Sequence, residues 1–240
     1  MKANKTLILA ALAAFSIGSA FAGNLIFVGD STLAPRKPEQ RIGSWGDSMA
    51  DKLTDGWTIC NCAIGGRTVK TIQGKKKAGW EKAVDAMKKG DFVIVQFGIN
   101  DANKKKLVEI PAFKAEMGKF ADVIREKGAT PVFCSPITAG RYDKKGKYAD
   151  TPSRLAYGNA TKEIAAEKKV EFIDMTALTG DVLRPLSKEA GQDLYVGKST
   201  KDGKEIFDTT HPSKKGASAY GDAFIKDAKT RKLSIAAIFK

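Results

Sequence analysis

The chain has 240 residues, with 41 Lys and Arg against 27 Asp and Glu, one His and three Cys. One His and three Cys are too few for a zinc finger or a His-rich metal centre. A composition that is 42% hydrophobic and 28% charged is typical of a globular domain and excludes a disordered chain or a membrane bundle. The net charge of +14 leaves nucleic-acid binding open at this point.

The N-terminus has the composition of an export signal. Two lysines precede an apolar run over residues 7–17, and residues 20–22 (Ala-Phe-Ala) have the small-x-small pattern that signal peptidase requires. The apolar run is shorter than the roughly 20 residues that span a bilayer. We therefore expect residues 1–22 to be a cleaved signal peptide, and residues 23–240 to form a single secreted or periplasmic domain.

Short apolar runs then alternate with helical patterns. Runs bounded by turn residues, as expected for strands buried on both faces, cover residues 25–28, 58–63, 92–97, 131–134 and 170–173. Helical patterns cover residues 43–53, 79–88, 110–126, 153–168 and 212–228, and a long polar loop is predicted over residues 180–207. This alternation predicts an α/β fold, a three-layer α/β/α sandwich with a five-stranded parallel sheet.

The three cysteines give little functional information. Cys60 and Cys62 share one face of a predicted strand, where a disulfide between them has poor geometry. Cys134 lies in another strand, and an odd number of cysteines leaves at least one thiol free or intermolecular. The preferred interpretation is that the cysteines are buried small apolar side chains.

Glycine-containing turns follow the first three predicted strands. The carboxyl ends of parallel strands meet at one edge of the sheet, where ligands bind in open α/β folds. The first turn presents the Ser31 hydroxyl, a candidate nucleophile. The second presents Gly66, whose backbone N–H no side chain covers, and the third presents the Asn100 amide.

The single histidine lies in the sequence Asp208-Thr209-Thr210-His211, just before the last predicted helix. At this spacing one tight turn brings the Asp208 carboxylate to the imidazole. Asp208 would then orient the ring while His211 accepts the Ser31 proton. Each feature alone is weak evidence, but a serine, two oxyanion donors and an Asp-x-x-His in this order predict an acyl-transfer enzyme.

These residues resemble the four sequence blocks of the GDSL, or SGNH, hydrolases. The blocks here are Gly29-Asp30-Ser31, Gly66, Gly98-x-Asn100-Asp101 and Asp208-x-x-His211. Over nearly the whole predicted mature chain the sequence is similar to the rhamnogalacturonan acetylesterase-like branch, carbohydrate esterase family twelve. The further similarities are Thr32, Arg67-Thr68, the loop over residues 141–147, Thr151, Tyr157, Ile173-Asp174 and the tail over residues 208–217. The branch commonly has a histidine where this chain has Ile99, so we expect substrate contacts there to differ.

The resemblance implies a flavodoxin-like SGNH architecture and a serine esterase that needs no cofactor and no metal. Ser31 would be the nucleophile and, through its own N–H, one oxyanion donor, with Gly66 N–H and the Asn100 side chain as the others. His211 would be base and then acid, oriented by Asp208. The Gly-x-Ser-x-Gly elbow of α/β-hydrolases is absent, and we expect a more open site.

The predicted function is therefore an exported serine esterase that removes O-acetyl groups from plant cell-wall polysaccharide, rhamnogalacturonan or xylan, through an acetyl-enzyme. Its partner would be the acetylated poly- or oligosaccharide substrate, with no nucleic acid, no membrane after signal cleavage, and a monomeric state. The alternative among enzymes is a GDSL lipase, lysophospholipase or thioesterase. The lack of a long apolar lid stretch favours a short acyl group.

Outside enzymes, the alternative is a binder of acidic polysaccharide. Its evidence is a set of short lysine clusters, at residues 75–77, 104–106, 144–147 and 214–215. No cluster exceeds three consecutive charges, so solubilising surface lysines are the preferred interpretation, followed by attraction to uronates. Trp45, Trp57 and Trp80 have rings that suit sugar stacking, but their places in or beside predicted helices and strands favour packing.

Overall fold

The computed structural model describes residues 22–74, 78–201 and 204–240, and the side chains of residues 199–206 are outside that description. The predicted signal peptide, apart from Ala22, and the lysine cluster at residues 75–77 therefore lie outside the described residues. Within the described part of the chain, no helix is both long and apolar enough to cross a membrane.

Five parallel strands form the central sheet. They are β1 (Gly23–Gly29), β2 (Trp57–Asn61), β3 (Phe92–Gln96), β4 (Thr130–Cys134) and β5 (Glu171–Ile173). Their order in the sheet is β2-β1-β3-β4-β5, with Leu25 beside Ile59 on one side and beside Phe92 on the other. This confirms the predicted five-stranded parallel sheet. The order is that of flavodoxin-like folds, with the topological switch point between β1 and β3.

Helices cover both faces of the sheet. The α-helices are α1 (Trp80–Ala86), α2 (Ile110–Glu126), α3 (Pro152–Glu167), α4 (Met175–Leu183), α5 (Lys188–Gln192) and α6 (Lys214–Thr230). Two 3-10 helices cover Asp47–Lys52 and Ser234–Ile238. Strands β6 (Tyr195–Lys201) and β7 (Lys204–Pro212) form a separate antiparallel hairpin.

Alternating side chains of β1 build two separate hydrophobic cores. Leu25 and Phe27 point into a core shared with α4 and α6, and Ile26 and Val28 into a core shared with α1, α2 and α3. All four side chains are fully buried. A strand that is apolar on both sides needs a helix layer on each face, which explains the three-layer α/β/α architecture and confirms that prediction.

The predicted polar loop over residues 180–207 is wrong. The segment contains the end of α4, helix α5, strand β6 and the start of β7. The two strands of the hairpin satisfy their backbone hydrogen bonds by pairing with each other. They therefore do not need the continuous apolar sequence that marks the strands of the buried sheet.

The predicted helix over residues 43–53 is shorter in the structure, where only Asp47–Lys52 is helical, as a 3-10 helix. The residues before it are held by other contacts. Trp45 is fully buried, and its indole Nε1 donates to Gln96 Oε1 at 2.8 Å. The Ser44 hydroxyl donates to the Leu33 carbonyl at 2.5 Å. These contacts fix the chain beside β1 before the helix begins.

Candidate active site

The candidate residues lie at the carboxyl edge of the central sheet, on both sides of the switch point. Ser31 follows β1, Gly66 follows β2 and Asn100 follows β3. Asp208 and His211 lie in β7, at the other end of the chain. The fold therefore brings together residues that are up to 180 positions apart in the sequence.

Ser31, His211 and Asp208 form a hydrogen-bonded chain. The Ser31 Oγ lies 2.7 Å from His211 Nε2, and His211 Nδ1 lies 2.7 Å from Asp208 Oδ2. With the carboxylate ionised, Nδ1 carries the ring proton and donates to Asp208, which leaves Nε2 free to accept from the Ser31 hydroxyl. This is the arrangement in which an imidazole removes a proton from a serine.

A tight turn at the end of β7 orients the Asp208 carboxylate. Asp208 Oδ1 accepts from the backbone N–H of Thr210 at 2.8 Å and of His211 at 3.0 Å. Burial alone raises the pKa of Asp208, but the hydrogen bonds from the side chain and backbone of His211 outweigh it and lower the pKa to about 2. The carboxylate is therefore charged at any pH at which the imidazole is neutral.

A buried network holds the turn that carries Ser31. Asp30 Oδ1 accepts from the Thr32 backbone N–H and from the Thr32 hydroxyl, both at 2.9 Å. Gln96 Nε2 donates to the Thr32 hydroxyl at 3.1 Å, and Asp30, Thr32 and Gln96 are all fully buried. Burial raises the pKa of Asp30, while the Thr32 hydrogen bonds lower it in part. Arg36 Nη2 donates to the Ser31 carbonyl from outside the turn.

The Gly66 turn lies against Ser31. Arg67 N–H donates to the Ile64 carbonyl at 3.4 Å, and Gly66 has a φ of +74° at the third position of this turn. Glycine is favoured there because a side chain disfavours a positive φ. A methyl group placed on Gly65 would lie 3.6 Å from Ser31 Cβ, which shows how closely the turn approaches Ser31.

The Asn100 amide is fixed by the same turn. Its Nδ2 donates to the Arg67 carbonyl at 3.0 Å. Because an amide nitrogen carries two hydrogens, one N–H orients the side chain and the second remains available to an oxyanion. The Gly66 carbonyl in this turn accepts a hydrogen bond from Lys106 Nζ at 2.8 Å.

Asp101 joins the loops after β2 and β3. Its carboxylate accepts from the Val69 N–H through Oδ1 and from the Gly98 N–H through Oδ2, both at 2.9 Å. Burial raises the pKa of Asp101, and these hydrogen bonds offset part of that rise. The resulting pKa is about 6. The sequence places Asp101 in the block Gly98-x-Asn100-Asp101 but predicts no role for it. The structure shows that it ties the loop after β2, at Val69, to the loop after β3, at Gly98.

The structure also places the remaining candidate residues. Cys60, Cys62 and Cys134 are free thiols. The Sγ atoms of Cys60 and Cys62 are 3.7 Å apart. Burial, together with the neighbouring Cys60 thiol, raises the pKa of Cys62 to about 12. Trp45 is buried, and Trp57 and Trp80 pack against the two cores. Ile99 is partly buried and packs against the core that contains Phe27.

The chain was compared with known families, proteins and solved structures. The model of the GDSL-like lipase/acylhydrolase family matches residues 27–219. The rhamnogalacturonan acetylesterase RhgT of Bacillus subtilis (strain 168) is 30% identical over 200 residues, which cover 80% of this chain and 84% of that protein.

Two solved structures share the fold. The protein YxiM of Bacillus subtilis has a TM-score of 0.75 at 22% identity over 89% of this chain, which spans 58% of that structure. A catalytic mutant of Axe2, an acetylxylan esterase from Geobacillus stearothermophilus, has a TM-score of 0.61 at 23% identity, covering 86% of this chain and 95% of that one.

The fold, the site and the relatives together place the chain in the class of carboxylic ester hydrolases. Within that class the chain belongs to the GDSL-like lipase/acylhydrolase family, in its rhamnogalacturonan acetylesterase-like branch. This confirms the resemblance identified in the sequence blocks.

Proposed function

We propose that the protein is a carbohydrate acetylesterase that removes O-acetyl groups from plant cell-wall polysaccharide by a serine mechanism. The observation that carries the mechanism is the chain of two 2.7 Å contacts from Ser31 Oγ through the His211 ring to Asp208. In three catalytic mutants of Axe2 with solved structures, alanine replaces a serine, an aspartate or a histidine. That aspartate lies three residues before that histidine. Asp208 and His211 have the same spacing.

In the acylation step, His211 Nε2 accepts the Ser31 proton as Oγ bonds to the acetyl carbonyl carbon. The carbonyl electrons move to oxygen, and the N–H groups of Ser31 and Gly66 and the Asn100 amide donate to that oxyanion. When the tetrahedral intermediate collapses, the bond to the sugar oxygen breaks and His211 donates the proton to that oxygen. The products of this step are a free sugar hydroxyl and an acetyl-Ser31 ester.

In the deacylation step, water takes the place of the sugar. His211 accepts a water proton as the water oxygen bonds to the acetyl carbon, and the same donors stabilise the second oxyanion. Collapse returns the proton to Ser31 Oγ and releases acetate. Asp208 stays ionised throughout, since its role is to orient the ring and to stabilise the imidazolium.

The polysaccharide substrate is supported by the relatives, which are named for rhamnogalacturonan and for acetylxylan. A panel that measures acetate release from acetylated pectin, xylan and mannan tests this proposal, and we expect the highest kcat/KM on pectin or xylan. Faster hydrolysis of octanoate than of acetate esters of 4-nitrophenol would instead support the lipase alternative. The proposed export is supported by the composition of residues 1–22.

Replacing Asn100 by alanine tests the proposed oxyanion donor. We expect Asn100→Ala to lower kcat about 10²–10³-fold with little change in KM, because the contact strengthens when charge develops on oxygen. The measurement is steady-state hydrolysis of 4-nitrophenyl acetate. Asn159→Ala, at an exposed position of α3, is the matched control. A rise in KM at constant kcat would contradict the assignment.

The pH dependence tests the proposed base. Because an imidazole must be neutral to accept a proton, we expect kcat/KM to rise over about pH 5 to 8, with a slope of about one on a logarithmic plot. Asp208, with a pKa of about 2, stays charged over this range and adds no second ionisation. The lowered pKa of Asp208 stabilises the folded protein above about pH 4, and this contribution to the free energy of unfolding is lost as the pH falls toward 2. A flat profile would contradict this single-base mechanism, whereas a slope above one would indicate that Asp101, with a pKa of about 6, ionises over the same range.

A further inference from the structure

A groove of about 380 Å³ lies beside the β6–β7 hairpin. It is lined by Phe207, Gly197 and Lys198 of the hairpin, by Arg41, and by the end of helix α5. Phe207 directly precedes Asp208 in β7. One residue that lines the groove is therefore the sequence neighbour of the aspartate of the proposed triad.

Phe207 presents an aromatic ring to solvent at this groove. Its side chain is 44% exposed, and the other large apolar side chains exposed in the described residues, Leu107 and Leu155, are aliphatic. The ring lies over Gly197, where a methyl group would be 3.7 Å from it. Isolated exposed apolar residues are common, so the significance of Phe207 depends on the groups around it.

Three of the polar side chains around Phe207 have no hydrogen bond within the described part of the chain. They are those of Arg41, Glu189 and Gln192. By contrast, Asp193 in the same groove pairs with Lys215 at 2.8 Å. An aromatic face beside amide, carboxylate and guanidinium groups is the chemistry that binds a sugar ring, whose CH face is apolar and whose edge carries hydroxyls.

Two features of the hairpin constrain this surface. Its register shifts between Tyr195 and Gly197, which is a β-bulge, and bulges redirect side chains near active sites. Tyr195 is fully buried, and its hydroxyl donates to the Thr138 carbonyl at 2.9 Å. The base of the hairpin is thus anchored in the core, and the positions of Phe207 and Asp208 are set together.

We propose that this groove binds a pyranose ring of the polysaccharide outside the catalytic centre. Phe207 stacks on the ring face and Gln192 and Glu189 bond its hydroxyls, while Arg41 bonds the carboxylate when the ring is a uronate. Consecutive residues of a strand point to opposite faces, so Phe207 and Asp208 lie on opposite faces of the hairpin, and the bound ring is not the one that is deacetylated. This inference rests on the proposed function and adds a binding subsite to it.

Calorimetric titration tests the subsite without hydrolysis. The probes are deacetylated rhamnogalacturonan oligosaccharides, which carry uronates, and xylo-oligosaccharides without uronates. Relative to the wild type, we expect Phe207→Ala to weaken binding of both probes about tenfold, and Phe207→Tyr to restore it to within about twofold. Arg41→Gln should weaken binding of the uronate-bearing probe alone.

The controls are Leu155→Ala, which removes an equally exposed apolar side chain outside the groove, and Arg125→Gln, at the end of α2. Both should bind both probes as the wild type does. Equal binding by wild type and Phe207→Ala, or no binding of either probe to the wild type, would overturn the subsite. Because no ester is cleaved in this experiment, failure of the proposed activity is seen separately, as a lack of acetate release from acetylated polysaccharides.

Discussion

Ser31→Ala is expected to lower kcat for 4-nitrophenyl acetate by about 10⁴-fold or more while the protein stays folded. The substitution removes the Oγ atom that lies 2.7 Å from His211 Nε2. The backbone N–H groups and the Asn100 amide remain, so some residual rate above that in water should persist.

The matched control is Ser153→Ala, at an exposed position of α3, which should retain wild-type kinetics. A phosphonate ester that labels serine nucleophiles should modify the wild type and Ser153→Ala with one group each, and should leave Ser31→Ala unmodified. Circular dichroism establishes that the variant is folded. A Ser31→Ala variant with kcat within tenfold of the wild type would rule out the serine mechanism.

Asp208→Asn is expected to lower kcat by about 10³–10⁴-fold. The amide has nearly the same shape as the carboxylate, but it carries no charge to stabilise the imidazolium. Its NH₂ group also favours the wrong tautomer, in which Nδ1 accepts and Nε2 carries the proton. In that tautomer Nε2 cannot accept the Ser31 proton. The measurement is kcat at a pH on the plateau of the wild-type profile.

Asp55→Asn, in the exposed turn before β2, is the control for the loss of one negative charge and should be kinetically silent. Thermal unfolding should show Asp208→Asn folded but less stable than the wild type at neutral pH, because the hydrogen bonds that lower the Asp208 pKa favour the charged form. A loss of activity under tenfold would mean that Asp208 does not orient the base.

The parallel sheet could be predicted because its strands leave a strong pattern in the sequence. A strand such as β1, with Leu25 and Phe27 in one core and Ile26 and Val28 in the other, is apolar at every position. Helix α2 covers residues 110–126, as predicted. The hairpin leaves no such pattern, since it pairs mainly with itself. The dipeptide Asp202-Gly203, typical of two-residue hairpin turns, was the available signal, and these two residues lie outside the described part of the chain.

The candidate site residues could be proposed from the sequence because the chemistry limits the choice of residue types. With one histidine in the chain, His211 was the only imidazole available, and the structure brings it to the serine of the first turn. The supporting contacts could not be predicted, because they depend on three-dimensional neighbours. The Arg36 contact with the Ser31 carbonyl and the Asp101 bridge between two loops are of this kind.

The order of the candidate site residues along the chain has a consequence for the proposed export. The proposed nucleophile follows the first strand, whereas the proposed base and its aspartate lie in the last, so an incomplete chain would hold a serine without its base. Under the proposed mechanism, esterase activity begins only after the last segment has docked onto the first. A chain that crossed a membrane unfolded would therefore be inactive until it folded on the far side.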